Sequence, residues 1–381
     1  MPELLAPAGS WESLLVAVNA GADAIYLSGK RFGARNYAAN FEDETLSRAI
    51  SFSHLRGVKV YVAVNTLIHD AELPEALEFL VHIYRLGADA VLIQDIGLAA
   101  LARRLVPGLV IHASTQLTLH NREGVEWAAS RGFRRVVLAR ELPAHEIERI
   151  GETLVSSGIG LEIFIHGALC YCYSGQCLLS SVMGGRSGNR GMCAQPCRKP
   201  FELVAGSPDR FGRPGNLACV PTGGRYLLST KDISVYPVLD RIVRLPVAAL
   251  KIEGRMRTPQ YVAAVVSVYR NALNQIAEGN WTPSEHDIED LTLAFNRGFT
   301  RGYILDARYP GIMGRERPDN RGLCVGIVVS ASSGTITIHL DSRIVPETGD
   351  GLVVIDRNGT EEGIVLFSTP VPYKGTIRIA T

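Results

Sequence analysis

The sequence predicts a (β/α)8 barrel of the TIM type, with a cysteine-rich insertion after its seventh strand and a small C-terminal β-barrel domain. Three observations lead to this fold class. Eight short apolar runs alternate with segments of helical period. Residues 167–246 separate the seventh run from the eighth, a longer interval than any other. From about residue 320, apolar and polar residues alternate between glycine turns and no helical pattern remains.

The eight apolar runs are predicted to be parallel strands, because helical segments follow most of them and return the chain to the same edge of the sheet. In chain order they are ELLAPAG (3–9), DAIYLSG (23–29), KVYVAVNT (59–66), DAVLIQD (89–95), LVIHAST (109–115), RRVVLARE (134–141), LEIFIHG (161–167) and VAALKIEGR (247–255). Periodicity does not report whether a sheet closes, so a doubly wound open sheet remains the alternative.

The predicted helices have recognisable ends. Ser10 precedes the first helix and Asp43 stands near the start of the second. Thr258 and Pro259 begin the last long helix, which stops at Gly279. Serine and threonine cap helix N-termini, proline suits the first helical turn, and glycine adopts the left-handed conformation that ends a helix.

Two domains follow from these patterns: a catalytic (β/α)8-like domain at 1–315, which includes the insertion at 167–246, and the β domain at 316–381. A chain of 381 residues, 46% of them hydrophobic, can bury one large core and still carry a smaller domain.

Composition predicts a cytoplasmic protein without a membrane segment. The first residues have neither a basic region nor an apolar stretch of the signal-peptide type, and no apolar run is long enough to span a bilayer. The net charge of +1 gives no global attraction to nucleic acid, which leaves local basic patches. In a reducing compartment, seven cysteines are more typical of metal binding or chemistry than of disulfides.

Five of the seven cysteines lie in the stretch HGALCYCYSGQCLLSSVMGGRSGNRGMCAQPCRK, residues 166–199. Only Cys193 and Cys197 have the short separation of a zinc knuckle. An iron–sulfur cluster needs four thiolates on converging loops and is less tied to short pairs, and the many glycines allow a tight fold around such a body. Spacing alone leaves an iron–sulfur cluster, a zinc ion and a catalytic thiol open.

Polar side chains also gather at the predicted carboxyl ends of the strands, the face on which barrel loops build active sites. They are Asn65, Gln94, Asp95, His112, Ser114, Gln116, Arg140, Glu141, His166, Lys251, Glu253 and Arg255. Strand ends often carry one such residue for structural reasons, so only the whole collection indicates a functional site.

The motifs EIFIHGALCYCYSGQCLLSS, GNRGMCAQPCR, KIEGRMRTPQYVAAVVSVYR and FNRGFTRGY resemble the collagenase-like peptidase family U32, and the resemblance covers essentially the whole chain. Despite the family's name, the resemblance does not by itself imply proteolysis, because several relatives are oxygen-independent hydroxylases with a 4Fe-4S cluster. These relatives act on a wobble uridine of tRNA, a cytidine of rRNA or a quinone precursor, with prephenate implicated as the oxygen source.

Carried over by position, the cluster ligands implied by the resemblance are Cys170, Cys177, Cys193 and Cys197. Some quinone-pathway relatives take the fourth ligand from a later cysteine before a Gly-Arg-Tyr, which keeps Cys219 as the alternative to Cys197. Two further cysteines are expected to lie outside the cluster, namely Cys172 and Cys324.

The other candidate residues are assigned by chemistry. Glu253, Arg255 and His166 are the catalytic candidates, Glu253 as a proton acceptor or as the holder of neighbouring cations. A carboxylate co-substrate such as prephenate needs cationic groups, for which the candidates are Arg140, Arg255, Arg257 and Lys251.

RNA, whether tRNA or rRNA, needs a positive track and exposed aromatic rings. The basic candidates are Arg186, Arg190, Arg198, Lys199, Arg297 and Arg301, and the aromatic ones are Phe295, Phe299 and Tyr303. A homologous partner subunit or a separate electron donor also stays open.

Hydroxylation of a small aromatic or quinone precursor in place of RNA remains open, and so do two other function classes. A peptidase reading has neither a G-x-S-x-G elbow nor an H-E-x-x-H helix to support it, which leaves a pair such as Cys170 and His166. A non-catalytic iron–sulfur or RNA-binding module explains the basic segments but not the polar face of the barrel.

Overall fold

The computed structural model describes residues 1–154, 158–305, 310–332, 334–373 and 375–380. The chain divides into two compact units, Met1–Arg321 and Gly322–Thr381.

This division falls later than the boundary predicted after residue 315. The backbone N–H of Arg321 donates to the Asn296 carbonyl (2.8 Å), and the N–H of Asn296 donates to Asn320 Oδ1 (2.9 Å). These bonds tie residues 320 and 321 to the first unit, so the start of the second unit moves to Gly322.

The first unit contains a closed barrel of eight parallel strands, as predicted. The strands are β1 (Glu3–Pro7), β2 (Ala24–Leu27), β3 (Lys59–Val64), β4 (Ala90–Ile93), β5 (Ile111–Ala113), β6 (Arg135–Val137), β7 (Gly160–Ala168) and β11 (Ala249–Ile252), with β8 to β10 in the insertion. Each strand pairs with the next, and β11 pairs in parallel with both β7 and β1. This double pairing closes the barrel and excludes the open sheet.

Helices alternate with the barrel strands and cover them from outside. They are α1 (Trp11–Asn19), α2 (Asp43–His54), α3 (Leu73–Arg85), α4 (Ile96–Leu105), α5 (Arg122–Ser130), α6 (Ala144–Leu154), α9 (Pro259–Glu278) and α10 (Glu285–Ala294), with α7 and α8 in the insertion. Their apolar faces pack on the strands and form the main hydrophobic core. None of the described helices is both long and apolar enough to cross a membrane.

The predicted helix ends are confirmed at both ends of the barrel sequence. The Ser10 side chain accepts a hydrogen bond from the Ser13 N–H (3.2 Å) at the start of α1. Thr258 caps α9 in the same way, and Gly279 follows the helix with φ +77°. Free N–H groups of the first turn are thereby satisfied at both sites.

The barrel interior holds a charged layer beneath the mouth. Glu162 is fully buried and accepts hydrogen bonds from Lys251 Nζ (2.8 Å) and Arg135 Nη1 (3.3 Å). Arg135 also donates to Glu3 (2.8 Å), which Tyr61 contacts through its hydroxyl group. Buried charges are tolerated only when they are paired. These contacts therefore hold together the four strands that carry the paired side chains, β1, β6, β7 and β11.

The insertion begins after β7, and its last strand runs back along the end of β7 before the chain enters β11. Its elements are α7 (Leu179–Gly184), the hairpin of β8 (Val204–Pro208) and β9 (Pro214–Cys219), β10 (Asp232–Ser234) and α8 (Leu239–Ile242). Strand β10 pairs antiparallel with the end of β7 and in parallel with β12 (Phe299–Thr300). The insertion is therefore anchored to the barrel at the carboxyl end of β7.

The second unit consists of antiparallel strands, as the alternating pattern predicts. They are β13 (Gly326–Ser332), β14 (Thr335–Leu340), β15 (Gly351–Ile355), β16 (Glu361–Val365), β17 (Val371–Tyr373) and β18 (Thr376–Ala380). Among the described residues they form one sheet of four strands and one of two, not a single continuous ring. Ile336, Ile338, Leu366, Ile377 and Ile379 form its core.

Candidate active site

A cavity of about 540 Å³ opens at the carboxyl ends of the barrel strands, where barrel loops converge. Its walls combine strand ends with loops of the insertion. Two carboxylates, Glu253 and Asp319, line it against seven cations. The cations are Arg35, Arg140, Arg198, Lys251, Arg255, Arg257 and Arg297. Lys251 and Arg297 have buried carboxylate partners behind the cavity wall, Glu162 and Asp232, and the positive charge that remains in excess favours an anionic ligand.

Five thiols line the same cavity. They belong to Cys170, Cys172, Cys177, Cys193 and Cys197, so all four cysteines that the resemblance implies as ligands are brought to one place. The backbone N–H of Gln195 points at Cys193 Sγ (3.4 Å). Within the described part of the chain, no three Cys, His, Asp or Glu side chains converge as a single-ion site.

The three remaining cysteines differ in position. Cys172, which was expected to lie outside the cluster, is part of the cavity wall and hydrogen-bonds to Cys177. Burial and this contact raise the pKa of the Cys172 thiol to about 12. Cys219 ends β9, is exposed, and has Glu202 as its neighbour (3.9 Å). Cys324 is exposed in the second unit. The structure thus places Cys197, and not Cys219, beside Cys170 and Cys177.

Two glycines allow the cysteine loops to lie against the barrel loops. Gly175 (φ +82°) would place a Cβ 2.6 Å from the Gln116 backbone, and Gly191 (φ +80°) would place one 2.4 Å from the Gly33 carbonyl oxygen. The N–H of Asn36 donates to the Gly191 carbonyl (3.2 Å). A larger residue at either position would combine a disfavoured backbone conformation with a steric clash.

An ion pair fixes the middle of the insertion to the loop before α3. Arg190 makes a two-pronged contact with Glu72 (2.6 and 2.7 Å) and donates to the Leu67 carbonyl (2.8 Å). Its guanidinium is therefore engaged within the protein, and the assignment of Arg190 as an RNA contact stays a prediction. Arg186, by contrast, is exposed and donates to the hydroxyl of Tyr37 (3.4 Å).

The Glu72→Gln variant tests this contact through its pH dependence. The hydrogen bond from Arg190 lowers the pKa of Glu72 to about 2. A carboxylate whose pKa is lower in the folded state stabilises it above its unfolded pKa, about 4.5, and loses that contribution as the pH falls toward 2. We therefore expect the wild type to melt at a higher temperature than Glu72→Gln at pH 7. The difference in melting temperature should shrink between pH 4.5 and 3. A difference that does not change with pH would contradict the stabilising role of the Glu72–Arg190 pair.

Arg255 is a buried cation without a complete set of partners. It is 3% exposed, lines the cavity, and has no hydrogen-bond partner for Nε or Nη2. Burial and the nearby Arg35 lower the pKa of Arg255 to about 10, so the group is still charged at neutral pH. Arg140 also has an unpartnered Nε in the cavity wall. Unpaired buried guanidinium groups are costly, and an anionic ligand would satisfy them.

Glu253 lies among these cations and pairs with Arg35 (3.4 Å). Burial alone would raise the pKa of its carboxyl group, but Arg35, Arg140, Lys251 and Arg255 together hold it below the ordinary value. Glu253 is therefore an anion at neutral pH and can accept a proton or a hydrogen bond.

Two other predicted carboxylate-binding residues have protein partners. Lys251 lines the cavity, but its ammonium group donates a hydrogen bond to the carboxylate of Glu162 inside the barrel. This carboxylate balances the charge of Lys251. Arg257 lies with its guanidinium 3.3 Å from the ring centre of Phe295. Burial and Arg297 lower the pKa of Arg257. Both residues line the cavity, and carboxylate binding by Lys251 and Arg257 stays a prediction.

His166, predicted as catalytic, lies within the barrel wall instead of in the cavity. It is fully buried, and its ring packs against those of Tyr261, Tyr269 and Phe299 at centroid distances of 6.1, 5.6 and 5.5 Å. Burial lowers the pKa of His166 to about 4, so the ring is neutral at pH 7. No histidine lines the cavity in the described part of the chain.

The predicted RNA contacts are mostly engaged elsewhere. Arg198 donates to Ser229, Thr230 and the Leu169 carbonyl, while Arg297 is paired with Asp232. Phe299 and Tyr303 pack on the barrel core, and only Phe295 of the three aromatic candidates lines the cavity. Among the predicted basic residues, Arg186, Lys199 and Arg301 are exposed.

Sequence reasoning missed three cavity residues that lie on loops: Arg35, Tyr37 and Tyr171. Arg35 and Tyr37 stand in the long loop after β2, which has no periodic pattern. The length of that loop is the signal that was available, because long loops at this end of a barrel often carry function.

The fold and the cavity define a (β/α)8-barrel protein with a cysteine-lined, cationic pocket at the carboxyl ends of its strands. The profile of the family described as peptidase family U32 matches residues 9–313. The chain belongs to this family.

Three relatives with curated names differ in what those names say. A 23S rRNA 5-hydroxycytidine synthase of Escherichia coli is 36% identical over 93% of this chain and 52% of its own length. The tRNA hydroxylation protein P1 of Bacillus subtilis is 32% identical over 92% of this chain and 82% of its own length. A collagenase of Porphyromonas gingivalis is 34% identical over 80% of this chain and 74% of its own length. The chain spans about half the length of the Escherichia coli relative.

Proposed function

We propose that this protein is an iron–sulfur enzyme that hydroxylates a pyrimidine in RNA, either a tRNA uridine or an rRNA cytidine, with a small carboxylate such as prephenate as co-substrate. The observation that carries the proposal is that five thiols and the unpaired guanidinium of Arg255 line one cavity. The names of the Escherichia coli and Bacillus subtilis relatives support RNA as the substrate.

The donor set fits a 4Fe-4S cluster held by Cys170, Cys177, Cys193 and Cys197. Such a cluster takes four thiolates, and N–H groups such as that of Gln195 can donate to its sulfurs. Gly175 and Gly191 let the loops that carry these cysteines pack closely on the barrel loops, which supports the gathering of the thiols around one cavity. When bound, the cluster would supply one-electron transfer beside the barrel mouth.

The cationic wall fits the carboxylate co-substrate. Arg255 offers Nε and Nη2, and Arg140 offers Nε, for charge-assisted hydrogen bonds with carboxylate oxygens. Glu253 lies beside them as an anion and can hold a proton or orient a hydroxyl group. These residues would place the co-substrate in the same cavity as the thiols.

The overall reaction balances if the donor's hydroxyl group and the ring hydrogen of the pyrimidine exchange places. The pyrimidine C–H bond becomes C–OH and loses two electrons, while the donor's C–OH becomes C–H and gains them. No molecular oxygen is consumed. The role assigned to this chain's own residues is to bind the donor anion, exclude water and orient the two carbon centres.

Mass spectrometry of tRNA and rRNA nucleosides from a deletion strain tests the proposal. We expect a hydroxylated pyrimidine to disappear, and to return with a plasmid that encodes the wild type. The Arg255→Met plasmid should restore at most about one thirtieth of the modification rate, since loss of a buried charge contact costs roughly 2–5 kcal/mol and 2 kcal/mol is about 30-fold in rate.

The matched control is Arg213→Met, which changes an exposed arginine of the β8–β9 hairpin and should restore modification fully. An unchanged RNA profile in the deletion strain, with gelatin cleavage by the pure protein, would favour the collagenase reading instead.

A further inference from the structure

Exposed aromatic rings stand at the rim of the cavity. Tyr37 and Tyr171 line it, and their exposed fractions are 55% and 47%. They come from separate loops, Tyr37 after β2 and Tyr171 between the first two cysteines of the insertion. Tyr26 and Phe164, the other cavity rings from the barrel strands, are buried. The rim therefore offers aromatic surface to a ligand that enters from solvent.

The two loops are connected to each other and to a cation. Asn36, next to Tyr37, is hydrogen-bonded to Gly191 of the insertion, and its side chain donates to the Arg190 carbonyl (3.4 Å). Arg186 is exposed and donates to the hydroxyl of Tyr37. A flat ring, a neighbouring guanidinium and a cation-lined pocket are the combination with which proteins bind single-stranded nucleic acid.

We propose that Tyr37 and Tyr171 stack on unpaired bases of the RNA and hold the target pyrimidine at the cavity mouth. This inference rests on the RNA substrate proposed above and assigns residues to its recognition. The cavity, at about 540 Å³, lies within the range of pockets that enclose small ligands, so one extruded base can enter it. Arg186 contacts the phosphate backbone beside the stacked base.

Fluorescence anisotropy with two labelled probes tests the stacking role. One probe is a pyrimidine oligoribonucleotide of about ten nucleotides, and the other is an abasic oligomer of equal length and charge. The wild type should bind the pyrimidine oligomer more tightly. Tyr37→Ala and Tyr171→Ala should each weaken that binding by about 5- to 150-fold while binding to the abasic oligomer stays unchanged. Tyr37→Phe and Tyr171→Phe should bind as the wild type does.

Tyr173→Ala is the matched control. Tyr173 is similarly exposed, at 45%, but packs edge-on against His120 (5.5 Å) and is not among the residues that line the cavity. Iron content is measured on every variant, because Tyr171 is flanked by cysteines. Tyr37→Ala, in another loop, tests the inference even if Tyr171→Ala loses iron.

The outcomes separate this inference from the proposed function. If the wild type prefers the pyrimidine oligomer and neither alanine variant is weaker, stacking by these tyrosines is wrong and the RNA substrate stands. Equal weakening by Tyr173→Ala would also overturn it. If the wild type binds neither oligomer and the deletion strain keeps its RNA modifications, both proposals fail. Tyrosine-dependent binding of a gelatin peptide instead of RNA would identify a peptide site.

Discussion

Cys177→Ser and Cys193→Ser should each yield protein that lacks its iron. Purified without oxygen, the wild type is expected to be brown and to contain about four iron and four sulfide per chain. Serine removes one of the four thiolates assigned to the cluster, and Cys219 of the first unit is exposed at the end of β9 and does not line the cavity. Iron and sulfide analysis with the visible absorption spectrum measures the loss.

Four other cysteine variants complete this experiment. Cys219→Ser and Cys324→Ser are controls in which iron content should not change. The ligand assignment also implies that Cys172→Ser keeps its iron, although Cys172 shares the cavity. Loss of iron in Cys172→Ser with retention in Cys197→Ser would show that the fourth ligand is assigned wrongly. Stoichiometric zinc without iron in the wild type would contradict the cluster itself.

Asp232→Ala should destabilise the first unit by roughly 3–5 kcal/mol, because it leaves the buried guanidinium of Arg297 without its partner. Asp232 accepts hydrogen bonds from the Arg297 backbone N–H (2.9 Å), Nε (3.1 Å) and Nη2 (2.6 Å), and both residues are buried. Chemical denaturation followed by circular dichroism measures the free energy of unfolding.

Glu126→Gln is the control for this stability measurement. Glu126 forms an exposed pair with Arg122 (2.7 Å) on α5, and such pairs contribute about 0.2–1 kcal/mol. If Asp232→Ala changed the free energy of unfolding no more than Glu126→Gln does, the expected stabilisation by the buried Asp232–Arg297 pair would be wrong.

The barrel was predictable because its signals are local. Each strand is a short apolar run, and Ser10 and Gly279 mark helix ends within one turn of the helices they bound. The gathering of the cysteines followed in the same way from their shared segment.

The pairing of charges was not predictable, because it depends on contacts between distant parts of the chain. Arg190 and Glu72 are 118 residues apart, and Lys251 and Glu162 are 89 apart. Nothing in the residues around Lys251 indicates that Glu162 will neutralise it. For the same reason the sequence could not indicate that Nε and Nη2 of Arg255 lack hydrogen-bond partners, because this depends on the residues that surround Arg255 in the fold. Sequence therefore located the site but did not tell which of its cations are free.

The closure of the barrel has a consequence for how the protein must be made. The pairing that completes the ring joins Glu3 in β1 to Ala249 in β11. Contacts between such distant residues form late, since the entropy of closing a long loop must be overcome first. During synthesis the whole cysteine stretch, residues 166–199, leaves the ribosome before β11 does. The cysteine stretch is therefore made before Lys251 of β11, which supplies part of the wall of the cavity that those cysteines line.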